Sequence, residues 1–195
     1  DIGASTGGFT DCALQHGARL SYAVDVGYNQ LAWKLRQDER VVVMERTNFR
    51  YVTPDCFANG LPEVAVIDVS FISLRLILPV VKTVIVPGGD VIALVKPQFE
   101  AGKENVGKKG IVRDPDVHRE VLESIVQFAC AEGFDVLHLS YSPITGGDGN
   151  IEFLLHAVYP GGDQEGENRL SAPIVCVVNE AHDRLRNAER ERDAE

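Results

Sequence analysis

The sequence predicts an α/β fold in which a mostly parallel sheet carries helices on both faces. One observation is that short apolar segments typical of buried strands alternate along the chain with segments whose apolar residues follow a helical period. The other is the opening segment Asp1–Asp11 (DIGASTGGFTD), whose glycines are typical of a tight turn leading from a strand into a helix. In an open parallel sheet, such a turn lies in the crevice beyond the carboxyl ends of the strands, where ligands bind.

The elements follow this turn in a regular order. After the strand that enters the turn, further strands are predicted at Leu20–Val26, Val41–Met44, Val64–Asp68, Asp90–Lys96, Phe134–Tyr141 and Ile151–Tyr159. Helices are predicted at Asn29–Arg36, at Leu74–Val84, and from an Asp114 N-cap and Pro115 to about Glu132, before Gly133. A last amphipathic helix is predicted after Ser171, with a charged end at Arg184–Glu195.

Three segments of different composition divide the chain. Residues 1–160 hold the predicted strands, and their length suits one domain of ordinary size. The strand before the glycine turn lacks its apolar half, so we expect residues upstream of Asp1 in the complete protein. Residues 161–170 are an acidic, glycine-rich linker, and residues 171–195 are the C-terminal helix.

Composition and charge argue against several classes of protein. The formal net charge of −10 gives the chain no overall basic surface of the kind that drives strong non-specific nucleic-acid binding. The cysteines are scattered without CxxC or Cys/His spacing, so neither a disulfide framework nor a metal site is predicted. The same cysteine pattern makes a reduced, cytoplasmic setting the simpler interpretation. No segment resembles a signal peptide or a membrane span.

Ionisable residues fall at the carboxyl ends of the predicted strands. Asp1, Asp25, Asp68 and Lys96 each lie at or next to such an end, and these ends meet at one edge of a parallel sheet. Charged groups gathered at one rim are costly unless they pair or serve a function. For Asp68 and Lys96 the sequence leaves two interpretations open, a catalytic pair or a purely structural ion pair.

The glycine turn and the residues after the next two strands predict a cofactor site. Asp25 follows the turn at the distance expected of a carboxylate that binds a ribose, although it could instead cap a helix. Thr47 and Asn48 lie where an adenine edge would lie, and Asn48 could equally be a turn residue. The predicted cofactor-binding residues are Asp1, Gly3, Ala4, Ser5, Gly7, Gly8, Phe9, Asp25, Val26, Thr47, Asn48 and Asp68.

Together these motifs resemble one family. The chain resembles the Rossmann-like, class I S-adenosylmethionine-dependent methyltransferases, and more closely the TlyA (haemolysin A-like) branch of the FtsJ-type ribose 2′-O-methyltransferases. The resemblance implies a seven-stranded sheet and S-adenosylmethionine as the cofactor. The matching segments are DIGASTGGFTD (1–11), AVDVG (23–27), NQL (29–31), TNFR (47–50), DVSFIS (68–73), LVKPQFE (94–100), GKKGIVRD (107–114) and GGDGNIEF (146–153), in order up to about Tyr159.

The resemblance implies methyl transfer to a ribose 2′-hydroxyl of ribosomal RNA, with cytidine targets. Such enzymes use a Lys-Asp-Lys-Glu tetrad; Asp68, Lys96 and Glu152 match its last three members, whereas the first lysine would precede Asp1. The chemistry agrees, because a sulfonium methyl is already activated and the enzyme mainly positions a hydroxyl for in-line attack. Lys96 can accept the hydroxyl proton if burial and a neighbouring cation favour its neutral amine. Asp68 and Glu152 would then orient the reacting groups.

A locally basic loop, residues 103–113 (KENVGKKGIVR), follows Lys96. Its predicted RNA-binding residues are Lys103, Lys108, Lys109 and Arg113, which could contact phosphates or simply form a solvated surface. Tyr28 and Trp33, near the end of a strand, could stack on a base or pack against the domain. The resemblance also implies an upstream RNA-binding domain, which would supply the positive charge that this chain lacks.

Two other functions stay open at the level of sequence. One is a membrane-active haemolysin, as the family's older name suggests, although the chain has no basic amphipathic helix of the inserting kind. The other is a methyltransferase for a small molecule. The segment Asp68–Phe71 lacks the Asn/Asp-Pro-Pro-aromatic run typical of methyltransferases that act on exocyclic base amines, which argues against that base chemistry.

Overall fold

The computed structural model describes the backbone of residues 1–147 and 149–192 and the side chains among them as far as Leu185. The strands are β1 (Ser21–Val24), β2 (Val41–Met44), β3 (Val64–Ile67), β4 (Gly89–Val95), β5 (Asp135–Tyr141) and β6 (Phe153–Tyr159). The helices are α1 (Gly8–Gln15), α2 (Trp33–Arg36), α3 (Leu78–Val84), α4 (Pro97–Glu100), α5 (Pro115–Ala131) and α6 (Ile174–Arg192). Asp148 of the predicted GGDGNIEF motif and residues 193–195 of the predicted charged end lie outside the described residues.

The strands lie side by side in the order β2-β1-β3-β4-β6-β5, with Ile2 between β1 and β3. β1 is parallel to β2 and β3 is parallel to β4, whereas β6 runs antiparallel between β4 and β5. The predicted α/β class is confirmed. The predicted seventh strand, the one before the glycine turn, is a single residue here: Ile2 makes isolated parallel bridges to Val24 and Ile67. Gly3, with φ of +83°, turns the chain immediately afterwards.

Helices cover both faces of the sheet because strand side chains alternate between the faces. Tyr22 and Val24 of β1 join the large core, whereas Ala23 between them packs with Leu14 of α1 and Leu35 of α2. The large core lies between the sheet and helices α3, α5 and α6. Its most deeply buried side chains include Ile67, Val91, Leu122, Ile125, Phe134 and Phe153. Each such burial stabilises the fold by about 1.5–3 kcal/mol.

Two helices are shorter in the structure than the segments predicted for them. Of Asn29–Arg36 only the last turn, α2, is helical, because Asn29 has φ of +58° and Ala32 is extended. Leu74–Val84 divides at Ile77 into a 3₁₀ turn (Leu74–Leu76) and α3, since Pro79 has no N–H to continue a helix from the preceding turn.

The ends of the other predicted helices are closer to expectation. The Asp114 cap of α5 is confirmed, with the carboxylate accepting a hydrogen bond from Asp116 N at 2.9 Å. α6 begins at Ile174, after Pro173, rather than directly after Ser171.

The segment after β6 packs against the rest of the chain. Asn168 makes a β-bridge with Val136, and Arg169 forms an ion pair with Asp135 at 3.0 Å. α6 packs on α5 and β5 and contributes Val178 and other buried side chains to the large core. In the part of the chain that the structure describes, no helix is both long and apolar enough to cross a membrane.

Candidate active site

The glycine turn lies between the ends of β1 and β3 and is held there by backbone hydrogen bonds. Gly3 N and Ala4 N donate to Val24 O at 2.9 and 3.1 Å, and Asp68 N donates to Ile2 O at 2.9 Å. A β-carbon at Gly3 would lie 2.1 Å from the carbonyl oxygen of Asp68, so no larger residue fits this approach. The turn therefore lies directly against the residue that follows β3.

Asp1 supports the turn from beneath. Its Oδ2 accepts hydrogen bonds from Thr10 N at 2.9 Å and from Thr10 Oγ1 at 2.8 Å, and Thr10 is buried in α1. The Oδ1 atom is buried and has no hydrogen-bond partner among the described residues. Of the other predicted cofactor residues of the turn, Ala4 and Gly7 are buried, Gly3 and Phe9 are half-buried, and Ser5 and Gly8 are exposed.

Asp25 joins the glycine turn to the loop after β1. Its Oδ2 accepts a hydrogen bond from Ser5 N at 2.8 Å, and its Oδ1 accepts one from Gly27 N at 2.7 Å. The alternative role as a helix cap is not observed, since α2 begins at Trp33 and Ala32 precedes it. Each carboxylate oxygen has a further lone pair, so the carboxylate can still accept bonds from a ligand.

Thr47 and Asn48 lie beside Asp25, in the loop after β2. Thr47 N donates to Asp25 O at 2.9 Å. Asn48 has the turn role that the sequence left open, because its Oδ1 accepts a hydrogen bond from Arg50 N at 3.2 Å at the start of the 3₁₀ turn Phe49–Tyr51. The loops after β1 and β2 thus form one continuous rim with the glycine turn.

Lys96 and Asp68 meet at the carboxyl ends of the neighbouring parallel strands β4 and β3. Lys96 Nζ lies 2.5 Å from Asp68 Oδ1 and 3.4 Å from Ser70 Oγ. The Lys96 side chain is only 12% exposed, whereas that of Asp68 is 39% exposed. The amine is therefore held in place within the rim, and the carboxylate beside it remains open to solvent or a ligand.

Glu152 immediately precedes β6, the antiparallel neighbour of β4. The antiparallel ladder pairs Val95 with Phe153, so one further step along each strand brings Lys96 opposite Glu152. Gln98, which follows Lys96 by two residues, donates from Nε2 to Glu152 Oε1 at 3.1 Å. Its Oε1 is buried and has no hydrogen-bond partner among the described residues. Sequence reasoning missed Gln98; its position within the LVKPQFE motif was the only signal.

Phe71 is a second residue that sequence reasoning missed. It follows Asp68 by three residues, has φ of +63°, and is 90% exposed. A bulky residue in this left-handed conformation is uncommon and costs about 1–3 kcal/mol. Its ring leans on that of Phe99 at a centroid distance of 5.0 Å. The φ value and the exposure have no signature in the sequence.

Glu100 fixes the segment that carries Phe71. Its carboxylate accepts hydrogen bonds from Ser73 Oγ at 2.6 Å and from Leu74 N at 2.8 Å. Burial raises the pKa of Glu100, although these hydrogen bonds oppose the increase. The loop after β3 is thereby tied to α4, the helix that follows Lys96.

The basic loop lies next to Glu152. Asn150 is buried; its Oδ1 accepts from Val112 N at 3.0 Å and its Nδ2 donates to Gly110 O at 2.9 Å. This bond pair connects the end of the basic loop to the residues that lead into β6. The predicted RNA-binding residues of this loop are all exposed: Lys103, Lys108, Lys109 and Arg113.

A model of the FtsJ-like methyltransferase family matches residues 1–159. YqxC of Bacillus subtilis, provisionally named an rRNA methyltransferase, is 70% identical over 186 residues, which cover 95% of this chain and 66% of YqxC. The 16S/23S rRNA (cytidine-2′-O)-methyltransferase TlyA of Mycobacterium tuberculosis is 45% identical over 155 residues, which cover 80% of this chain and 58% of TlyA.

A solved structure of a protein from Streptococcus thermophilus, provisionally named a hemolysin, resembles this chain with a TM-score of 0.91 at 56% identity. The match covers 97% of this chain and 68% of that protein. The chain thus spans just under two-thirds of the length of YqxC and somewhat over half of the length of TlyA. The family match includes the glycine turn, Asp68, Lys96 and Glu152, all within residues 1–159. The chain therefore belongs to the FtsJ-like methyltransferase family.

Proposed function

We propose that this chain is the catalytic domain of an S-adenosylmethionine-dependent ribose 2′-O-methyltransferase that acts on ribosomal RNA. The observation that carries the proposal is the cluster at the sheet rim, where the Lys96–Asp68 ion pair lies beside the glycine turn and one register step from Glu152. The names of YqxC and TlyA support ribosomal RNA as the substrate, and that of TlyA supports cytidine as the target.

The rim residues fit S-adenosylmethionine. Asp25 offers carboxylate lone pairs to a ribose diol, and Val26 beside it is an exposed apolar surface for adenine, with Thr47 and Asn48 adjacent. At Gly8 a β-carbon would meet nothing within 4 Å, so the start of α1 is open to an amino-acid moiety, whose carboxylate suits a helix N-terminus. Asp1 and the buried turn residues support this surface. When bound, the cofactor supplies an activated sulfonium methyl group.

Lys96 and Asp68 handle the proton of the ribose hydroxyl. The hydroxyl becomes a good nucleophile as its proton leaves, and Lys96 Nζ in its neutral form accepts that proton. Asp68 at 2.5 Å then stabilises the ammonium that forms, as the carboxylate of a catalytic triad stabilises an imidazolium. Of the two interpretations of this pair that the sequence left open, we propose the catalytic one.

Glu152 and Phe71 position the substrate. Gln98 holds Glu152 at one oxygen, which leaves the other to accept a hydrogen bond from a ribose hydroxyl near Lys96. Phe71 offers an exposed ring face on which a base splayed out of an RNA strand can stack. Lys103, Lys108, Lys109 and Arg113 contact phosphates without reading sequence.

The wider organisation follows from this assignment. Residues 1–160 form the methyltransferase domain, and residues 161–170 connect it to the C-terminal segment, residues 171–195, whose helix α6 packs on α5. An upstream RNA-binding domain supplies the positive charge that this acidic chain lacks. The protein acts in the cytoplasm on ribosomal subunits.

We expect the protein to transfer the methyl group of tritiated S-adenosylmethionine to ribosomal RNA from a strain that lacks it. The label should appear in dinucleotides that resist alkaline hydrolysis, because cleavage at a nucleotide requires its free 2′-hydroxyl. An RNA with a 2′-deoxyribose at the mapped target is the control and should accept no label. Label in alkali-released mononucleotides, or on small molecules instead of RNA, would contradict the proposal.

Asp25→Asn should weaken cofactor binding by about tenfold, because a neutral amide replaces a charged hydrogen-bond acceptor worth about 1.5–3 kcal/mol. Calorimetric titration with S-adenosylhomocysteine measures the effect. Asp11→Asn is the matched control, since Asp11 lies on α1 and pairs with Lys34 at 2.9 Å. Equal affinities of the Asp25 variant and the wild type would remove Asp25 from the cofactor site.

A further inference from the structure

A second feature of the sheet rim combines exposed aromatic rings with guanidinium groups. The Arg46 guanidinium lies over the Tyr28 ring at 4.1 Å from its centroid, and the Arg50 guanidinium lies 5.3 Å from the centroid of the Tyr51 ring. Tyr28 is 63% exposed and Tyr51 is 74% exposed, and both arginines are exposed. We call these four residues the Arg–Tyr rim.

The backbone beneath the Arg–Tyr rim is fixed. Arg46 has φ of +51°, an uncommon conformation for arginine, and its N–H donates to Gly27 O at 2.9 Å, which ties the loop after β2 to the loop after β1. The buried Phe49 anchors the 3₁₀ turn that presents Arg50 and Tyr51. The side chains are therefore presented to solvent by ordered loops.

No carboxylate of the described residues neutralises the arginines of the Arg–Tyr rim. The sequence has a net charge of −10, and Arg36 and Arg40 each pair with a carboxylate, Glu45 and Asp38 respectively. Within the described residues, neither Arg46 nor Arg50 forms an ion pair with a carboxylate. Two cations are thus kept available for an anionic partner on an otherwise acidic chain.

The Arg–Tyr rim lies on the same edge of the sheet as Lys96. Arg46 follows β2 and Lys96 follows β4, with β1, Ile2 and β3 between these strands. Four strand spacings of roughly 4.8 Å separate them by about 19 Å. A single RNA strand with its target ribose at Lys96 can therefore reach Tyr28 and Tyr51 by passing over the residues proposed to bind the cofactor. Exposed aromatic rings and arginines are the side chains that bind single-stranded nucleic acid, by base stacking and by phosphate contacts.

We propose that the Arg–Tyr rim binds a single-stranded segment of the RNA substrate that flanks the target nucleotide, with bases stacked on Tyr28 and Tyr51 and phosphates held by Arg46 and Arg50. This inference rests on the proposed function. It gives an RNA-binding role to a surface outside the basic loop. It also makes Tyr28 a stacking residue, one of the two roles that the sequence left open.

The test measures binding of a fluorescently labelled single-stranded RNA oligonucleotide and methylation of ribosomal RNA. The double variant Arg46→Gln/Arg50→Gln should reduce the slope of log affinity against log salt concentration by about 1.4, since each phosphate contact on a single strand contributes about 0.7. The KM for RNA should rise while the cofactor affinity stays unchanged. Arg19→Gln is the matched control, because Arg19 is exposed and precedes β1, at the opposite edge of the sheet.

The aromatic part is tested separately. Tyr28→Ala should weaken RNA binding at least fivefold, the lower bound of about 1 kcal/mol for one stacked base. Tyr28→Phe keeps the ring and should bind as the wild type does.

The outcomes of these measurements distinguish a failure of the Arg–Tyr rim proposal from a failure of the proposed function. Unchanged RNA binding and KM in the double variant would overturn the Arg–Tyr rim proposal while leaving the methyltransferase function intact. A loss of cofactor affinity in place of RNA affinity would also overturn it. A wild-type protein that methylates no RNA would refute the proposed function itself, and the rim proposal with it.

Discussion

Lys96→Met should lower the single-turnover rate of methyl transfer to RNA by about 10²–10⁴-fold, the usual contribution of a positioned proton acceptor. Methionine has a similar length but no amine, so it removes the proton acceptor. The Asp68 carboxylate that loses its partner is 39% exposed and stays solvated, so the fold should be affected little. Quench-flow with tritiated cofactor and ribosomal RNA measures the rate, and thermal unfolding checks the fold.

Two further lysine variants test whether the lower rate of Lys96→Met comes from the missing amine. Lys82→Met on α3 is the matched control for removing a lysine elsewhere, and it should methylate RNA at the wild-type rate. Lys96→Arg keeps a positive charge beside Asp68, but arginine stays protonated in proteins and cannot accept a proton. We expect Lys96→Arg to be as slow as Lys96→Met. An active arginine variant would show that the charge alone is needed and would refute the proton-acceptor role.

The placement of these groups could be predicted because it depends only on strand direction. Asp68 and Lys96 follow two apolar segments, and parallel neighbours bring their carboxyl ends to one edge, where the structure indeed pairs the two residues. Glu152 is different, since its place opposite Lys96 follows from extending the antiparallel register of β4 and β6 by one residue. No pattern within either strand encodes that register, and only the family resemblance pointed to Glu152.

Residues whose position depends on local backbone geometry could not be predicted. Phe71 is exposed because φ of +63° turns its side chain out of the loop, and Gln98 meets Glu152 only because two separate elements converge. Local backbone geometry also explains why the predicted helix Asn29–Arg36 is shorter in the structure. Its apolar residues follow a helical period, but Asn29 has a left-handed φ of +58° and only Trp33–Arg36 are helical.

A buried histidine pair connects the basic loop to the C-terminal helix. His118 on α5 is fully buried, and its Nδ1 lies 2.9 Å from His182 Nε2 on α6. His118 Nε2 lies 3.2 Å from the carbonyl oxygen of Val112, at the end of the basic loop. Because a carbonyl only accepts, His118 Nε2 must donate to it, and in a neutral ring Nδ1 is then the acceptor for an N–H of His182.

The burial of His118 should lower the free energy of unfolding of the protein in mild acid. Desolvation, reinforced by the neighbouring His182, lowers the pKa of His118 to about 4 from its ordinary value of 6.5, against smaller opposing effects of the Val112 carbonyl and Asp114. As the pH falls below 6.5, the unfolded chain takes up a proton that the folded chain refuses. The free energy of unfolding should therefore fall by about 2 kcal/mol between pH 7.5 and pH 5, and by about 3 kcal/mol once the pH is below 4.

Urea unfolding of wild type and His118→Gln at pH 7.5 and pH 5 tests this prediction. Between pH 7.5 and pH 5, the free energy of unfolding of the variant should fall by about 2 kcal/mol less than that of the wild type. The comparison does not depend on the absolute stability of the variant, because it uses only the difference between the two pH values. The lower limit of pH 5 leaves Asp38 and Glu45 ionised, since ion pairs with Arg40 and Arg36 lower the pKa of each carboxylate to about 2.

His138→Gln, at an exposed histidine on β5, is the matched control and should retain the wild-type pH dependence. If His118→Gln lost as much stability in acid as the wild type, the histidine pair would not be the source of the acid sensitivity. A difference confined to His118→Gln would assign the acid sensitivity to proton uptake at this histidine pair.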